Sequence, residues 1–137
     1  MAKEHNLSWW KKSVWKEVSI FVRLSNADYR GYVTCYTCGI IKPWKEMQAG
    51  HGISGRGNPI LYELDIIRPQ CYGCNICGSG KLDVFTNLLK EELTTKRYNY
   101  IWKNRHKDKV KFTIPYLQEL RYNFKQSNKL LLEIKGF

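Results

Sequence analysis

The chain has no long apolar run. Its hydrophobic residues come a few at a time, which excludes a membrane-spanning helix. A secretory signal is missing as well, because Met1-Ala2-Lys3-Glu4-His5-Asn6 is polar and leads into a charged helical pattern. Without that signal, five cysteines favour metal binding in a reducing cytoplasm over disulfides. Internal repeats and low-complexity tracts are absent, so solenoid architectures drop out. Acidic residues are scarce: 12 Asp and Glu stand against 23 Lys and Arg, a formal net charge of +11. Such an excess attracts polyanions. What remains is one domain of 137 residues, 43% hydrophobic, whose modest core would benefit from a metal staple.

The staple is visible in two cysteine pairs, Cys35-x-x-Cys38 and Cys71-x-x-Cys74. Each pair makes a knuckle whose two thiolates grip one side of a tetrahedral zinc. Four thiolates close the coordination shell and leave no position for a substrate water, so this zinc is expected to be structural. Cys77 extends the second knuckle, either as a competing ligand or as an ordinary thiol at the start of the next helix.

Between the pairs stands Gly50-His51, and Asn75 directly follows the last of the four cysteines. An unperturbed imidazole titrates near pH 6.5 and can take a proton from water at working pH. The glycines beside His51 let the backbone approach a bulky ligand closely. An amide fixed next to a zinc ligand can offer its oxygen to a hard cation. A base and a metal-binding amide held near each other point to metal-dependent hydrolysis, and the net charge points to a nucleic acid. Two other patterns fail. The glycines from Gly50 to Gly55 fit G-x-G-x-x-G without the βαβ unit that motif needs, and Gly78-Ser79-Gly80-Lys81 lacks the first glycine and the Ser/Thr of a P-loop.

Around this centre the pattern predicts an α+β fold. A helix from Ser8 to Leu24, with Ser8 as N-cap, opens an N-terminal region over 8–30. Its Trp9, Trp10 and Trp15 either pack on the zinc core or stack on bases. The central region, 31–95, places strands at Met47–Ile53 and Ile60–Arg68 with a turn at 55–59, then a helix from about Lys81. The region 96–137 is helical and basic: Lys96, Arg97, Lys103, Arg105, Lys107, Lys109 and Lys111 are interrupted only by the acid Asp108. With Arg56 and Lys81, these residues are the candidates for phosphate contact. Thr113 reads as the N-cap of a last helix. Its Leu117, Leu120, Phe124, Ser127, Leu131 and Ile134 form a short heptad-like seam for packing on the same chain or in a homodimer.

The segments CYTCGIIKPWKEMQAGH, ISGRGN and RPQCYGCN with SGK resemble the NinG/Rap-type phage recombination nucleases of the HNH, or ββα-metal, group. The order of knuckle, histidine, knuckle and asparagine is similar to that of phage endonuclease VII. The resemblance implies a small zinc-stapled ββα-metal core flanked by N- and C-terminal helices. It also implies a His-plus-metal endonuclease for branched recombination or replication intermediates, in a host-cell cytoplasm, with recombination proteins as further partners. On this mapping His51 is the general base, Asn75 holds catalytic Mg²⁺ or Mn²⁺, and Cys35, Cys38, Cys71 and Cys74 hold zinc. The chain departs from the pattern at Gln48, Gly50 and Ile66, and Lys81 closes its Ser-Gly-Lys. The anionic ligand of the catalytic ion is therefore unassigned, with Asp65 or Glu63 on the return strand as candidates and Gln48 as a neutral one. Two other functions fit the same residues: a zinc-ribbon DNA-binding protein without catalysis, and an HNH nicking enzyme acting on ordinary duplex.

Overall fold

The first helix, α1 (Leu7–Ser25), is set by Val14, Val18 and Val22, which recur every four residues and are all buried. In the computed structural model, which describes residues 4–55, 57–107 and 110–137, its N-cap is Asn6 instead of the expected Ser8. The Asn6 side chain accepts from the Trp9 amide at 2.9 Å, because Ser8 already lies in the first turn.

Two short antiparallel hairpins follow. Strands β1 (Tyr32–Thr34) and β2 (Ile41–Pro43) pair around the loop that carries Cys35 and Cys38. Strand β3 (Gln48–His51) pairs with β4 (Ile67–Gln70), placing Gln48 opposite Gln70 and Gly50 opposite Arg68. The return strand thus begins at Ile67, not at the expected Ile60. Residues Asn58–Ile60 and Leu64–Ile66 form 3₁₀ turns instead. Pro59 brings no N–H to a ladder, and the Glu63 side chain accepts from the Asp65 amide at 3.3 Å, which holds the chain in a turn.

Beyond β4, residues Gly73–Cys77 make one π-helical turn, and α2 (Leu82–Leu93) begins where the sequence predicts a helix. Its Phe85 and Leu89 are fully buried against the β3–β4 hairpin, in one core with Val14, Val18, Ala49, Ile67 and Leu117. The hairpin approaches so closely that a β-carbon on Gly52 would lie 2.3 Å from Leu89 Cδ1. Helix α3 (Thr95–Lys103) and α4 (Ile114–Lys135) complete the chain. Thr113 caps α4 as expected, accepting from the Tyr116 amide at 3.3 Å, with Pro115 in the first turn.

Helix α4 packs along α1 in parallel. Arg121 Nε donates to Ser13 Oγ at 2.6 Å, Asn128 Nδ2 to the Glu17 carbonyl at 2.9 Å, and Lys135 Nζ to the Ala27 carbonyl at 2.7 Å. The seam therefore closes within one chain, and its period is nearer 3.6 than 3.5. Asn128 is buried where the heptad reading put Ser127, while Ser127 is exposed and Ile134 is 70% exposed. The architecture is α+β, with two small sheets and a four-cysteine cluster. No helix among the described residues is long and apolar enough to cross a membrane. Arg56, Asp108 and Lys109 lie outside the described residues.

Candidate active site

Cys35 and Cys38 converge from the β1–β2 loop on Cys71, just after β4, and Cys74 of the π turn. Their sulfur atoms all lie within 4.8 Å of one another. Cys38 Sγ and Cys71 Sγ are 3.7 Å apart, far too distant for a disulfide. Zinc–sulfur bonds of about 2.3 Å give a tetrahedron whose edge is about 3.8 Å, so the four sulfurs can hold a zinc ion. Their electrostatics agree. Burial pushes the Cys35 thiol up, but hydrogen bonds from the Cys71 backbone and from Thr37 outweigh it and bring it down to about 6. At Cys38 a hydrogen bond from the Ile40 backbone is outweighed by burial and by the sulfurs of Cys35, Cys71 and Cys74, which push it up to about 12. Burial also raises Cys74. One thiolate forms readily here and opposes the next, a conflict that a divalent cation removes. Cys77 is exposed and stands outside the cluster.

Beside the cluster opens a cleft of about 460 Å³, lined by residues that include Trp15, Gly50, His51, Ser54, Asn75 and Ser79. His51 ends β3, and its Nε2 lies 2.9 Å from the Leu61 carbonyl. A carbonyl only accepts, so in the neutral ring Nε2 carries the proton and Nδ1 the lone pair. The Trp15 ring stacks on the imidazole with centroids 4.5 Å apart and planes 20° from parallel. The histidine is thus clamped between α1 and the loop preceding β4.

Asn75 is fixed twice. Its amide N–H donates to the Cys71 carbonyl at 2.9 Å, and its Nδ2 donates to Gln48 Oε1 at 2.7 Å. That second bond leaves Oδ1 turned towards Gly50, 3.1 Å from where a β-carbon on that glycine would stand. Gln48 therefore spends its oxygen on orienting Asn75. Gln70 is held in the same manner: its Nε2 donates to Thr37 Oγ1 at 3.0 Å and to the Gly80 carbonyl at 2.8 Å. Its Oε1 is a buried acceptor with no hydrogen-bond donor among the described residues. Two amide oxygens aimed at one glycine are the kind of donor a hard divalent cation takes. In kind, these residues fit such an ion.

Asp65 stands apart from the cleft. Because β4 starts at Ile67, Asp65 falls in a turn, where its carboxylate takes Arg97 Nη2 at 3.0 Å and Nε at 3.1 Å. Glu63 lies 3.9 Å from the same guanidinium. Neither acid lines the cleft, and no other carboxylate among the described residues does. Among the basic candidates, Lys81, Lys96, Lys103 and Lys107 are exposed. Arg97 is committed to Asp65, and Arg105 stacks on Trp102 with its guanidinium 3.7 Å from the ring centre. Sequence reasoning missed Gln70 and the seat of Trp15. Only the β3–β4 register reveals the first, and only the packing of α1 reveals the second.

A family model described as Bacteriophage Lambda NinG protein matches residues 1–133. No curated protein and no solved structure matches the chain.

Proposed function

The chain belongs to the bacteriophage lambda NinG family, and we propose that it is a metal-dependent DNA endonuclease of the zinc-stapled ββα type, acting on branched recombination or replication intermediates. One observation carries the reading: a histidine with its lone pair on Nδ1 shares a cleft with an asparagine locked to a cysteine knuckle. His51 takes a proton from the attacking water through Nδ1, while Nε2–H stays on the Leu61 carbonyl and keeps the ring in place. Trp15 covers one face of the imidazole and restricts its rotation. Asn75 and Gln70 would hold Mg²⁺ or Mn²⁺, which when bound stabilises charge developing on the scissile phosphate and leaving oxygen. The cysteine cluster, with zinc, fixes the turn from which Asn75 projects. Exposed Lys81, Lys96, Lys103 and Lys107 bind flanking phosphates and confer no sequence preference by themselves.

Cleavage of matched branched and linear DNA with Mg²⁺ or Mn²⁺, by wild type and His51→Ala, tests the proposal. The expected result is preferential cutting of branched DNA that depends on His51. Equal cutting of linear duplex would identify a nicking enzyme for ordinary DNA. A second reading, a DNA-binding module without catalysis, draws on the absence of a carboxylate from the cleft among the described residues. It requires that His51→Ala leave every measurable function unchanged.

A further inference from the structure

Gly50 precedes His51 and offers no side chain to the cleft. A β-carbon there would meet Gln70 Oε1 at 1.8 Å, so the glutamine oxygen fills the space a side chain at position 50 would take. It reaches across from β4 because the register sets Gln70 opposite Gln48, one pleat from Gly50. The side chain is fully buried, and its amide nitrogen is fixed by two acceptors, Thr37 and the Gly80 carbonyl. Turning the amide over would set two oxygens against each other at Gly80, so Oε1 stays where it is. Asn75 Oδ1 points to the same place. Two acceptors thus converge on a glycine, and one of them is buried without a donor among the described residues. A cation seated between the two oxygens would satisfy both.

Resting on the hydrolytic reading of this cleft, we propose that Gln70 is a cation ligand and that the site it forms with Asn75 is made of neutral amide oxygens, completed by the DNA phosphate. Ion affinity in oxygen sites rises with the number of charged ligands. With no carboxylate among the described residues lining the cleft, the missing negative charge comes from the substrate. Metal and DNA therefore bind cooperatively, each raising the affinity of the other by the same factor.

The test measures Mn²⁺ binding from the electron paramagnetic resonance of the free ion. It uses the full zinc-loaded chain carrying His51→Ala, so that a DNA junction stays intact. Without DNA, Mn²⁺ should bind weakly; with the junction, affinity should rise about 10-fold or more, within the usual range of such couplings. Gln70→Met removes the oxygen at similar volume and should abolish that rise while zinc content and metal-free DNA affinity stay unchanged. Gly50→Ala displaces the same oxygen without altering Gln70, and it carries the test if Gln70→Met fails to fold. The double variant should be no weaker than either single one. If both variants keep the parent's Mn²⁺ binding while Asn75→Ala loses it, Gln70 is not a ligand, although the cleft remains a metal site. If the parent shows no saturable Mn²⁺ binding even with DNA, the hydrolytic reading fails and this inference fails with it.

Discussion

His51 owes its tautomer to a backbone carbonyl and its orientation to a tryptophan from another element. Neither contact depends on the imidazole for the integrity of the core, because His51 lies at the end of a strand and is only half-buried. His51→Ala should therefore keep the zinc, the melting temperature and the DNA affinity, while cleavage falls by about 10²- to 10⁴-fold, the usual contribution of a general base. Single-turnover cleavage beside a thermal melt checks both halves. The four-cysteine cluster was legible in the sequence because C-x-x-C spacing is local, and the same spacing put Asn75 beside it, in the cleft that His51 also lines. Gln70 was not legible. Its part depends on which residue of β3 it faces, and nothing local encodes that register. Asp65 was misplaced for the same reason, since a strand beginning at Ile67 turns it out of the sheet.

At the scale of elements, the cysteine cluster and one polar clamp hold the parts together. Cys74→Ser should unfold the central region, because metal binding energy in such a site is folding energy. Elemental analysis of the purified wild type should give about one zinc per chain. The clamp joins Tyr36 of the first knuckle, Arg68 of β4 and Glu92 of α2. Glu92 accepts from the Tyr36 hydroxyl at 2.6 Å and from Arg68 Nη2 at 3.0 Å. Burial pushes the Glu92 carboxyl up, but these two hydrogen bonds outweigh it and hold it below its usual range, while burial raises the Tyr36 hydroxyl. A depressed carboxyl stabilises the fold above its unfolded value, about 4.3, and that contribution disappears as pH falls through the folded value. Glu92→Gln should thus cost roughly 0.5–1 kcal/mol near neutral pH, a small figure because half the carboxylate side chain is open to water. Paired urea titrations should show the deficit constant from about pH 5 to 8 and narrowing below about pH 4, given the ordinary carboxyl range. The helices were legible from apolar periodicity and caps, apart from a two-residue shift of the first cap from Ser8 to Asn6. The second strand was less so: Leu61, Ile66 and Ile67 read as one β-run, and only tertiary pairing selects its last part.

For the whole molecule, the proposed contact with DNA rests on charge, +11 over the chain. Lys103 and Lys107 project into solvent near the end of α3, whereas Arg105 is engaged by Trp102 and Arg97 by Asp65. If the two lysines touch phosphates, log affinity should lose a slope of about 0.9 per contact against log salt when they become alanine, equally for all sequences. An unchanged slope would show that they are merely solvated. Fluorescence anisotropy over a salt series decides it.

The parallel pairing of α1 with α4 has a consequence in time. Its hydrogen bonds join residues 108 to 111 positions apart, so the first helix made waits for the last. At ordinary synthesis rates of about 5–20 residues per second, α1 spends roughly 5–20 s outside the ribosome before α4 can cover it. The knuckles and hairpins between them are complete well before that. Trp15 belongs to the waiting helix, and so does the lid it places on His51. The α4-facing side of α1 is therefore covered last, after the cysteine cluster and the sheet are made. A nascent chain stalled before Ile114 should already hold zinc yet leave α1 open to protease.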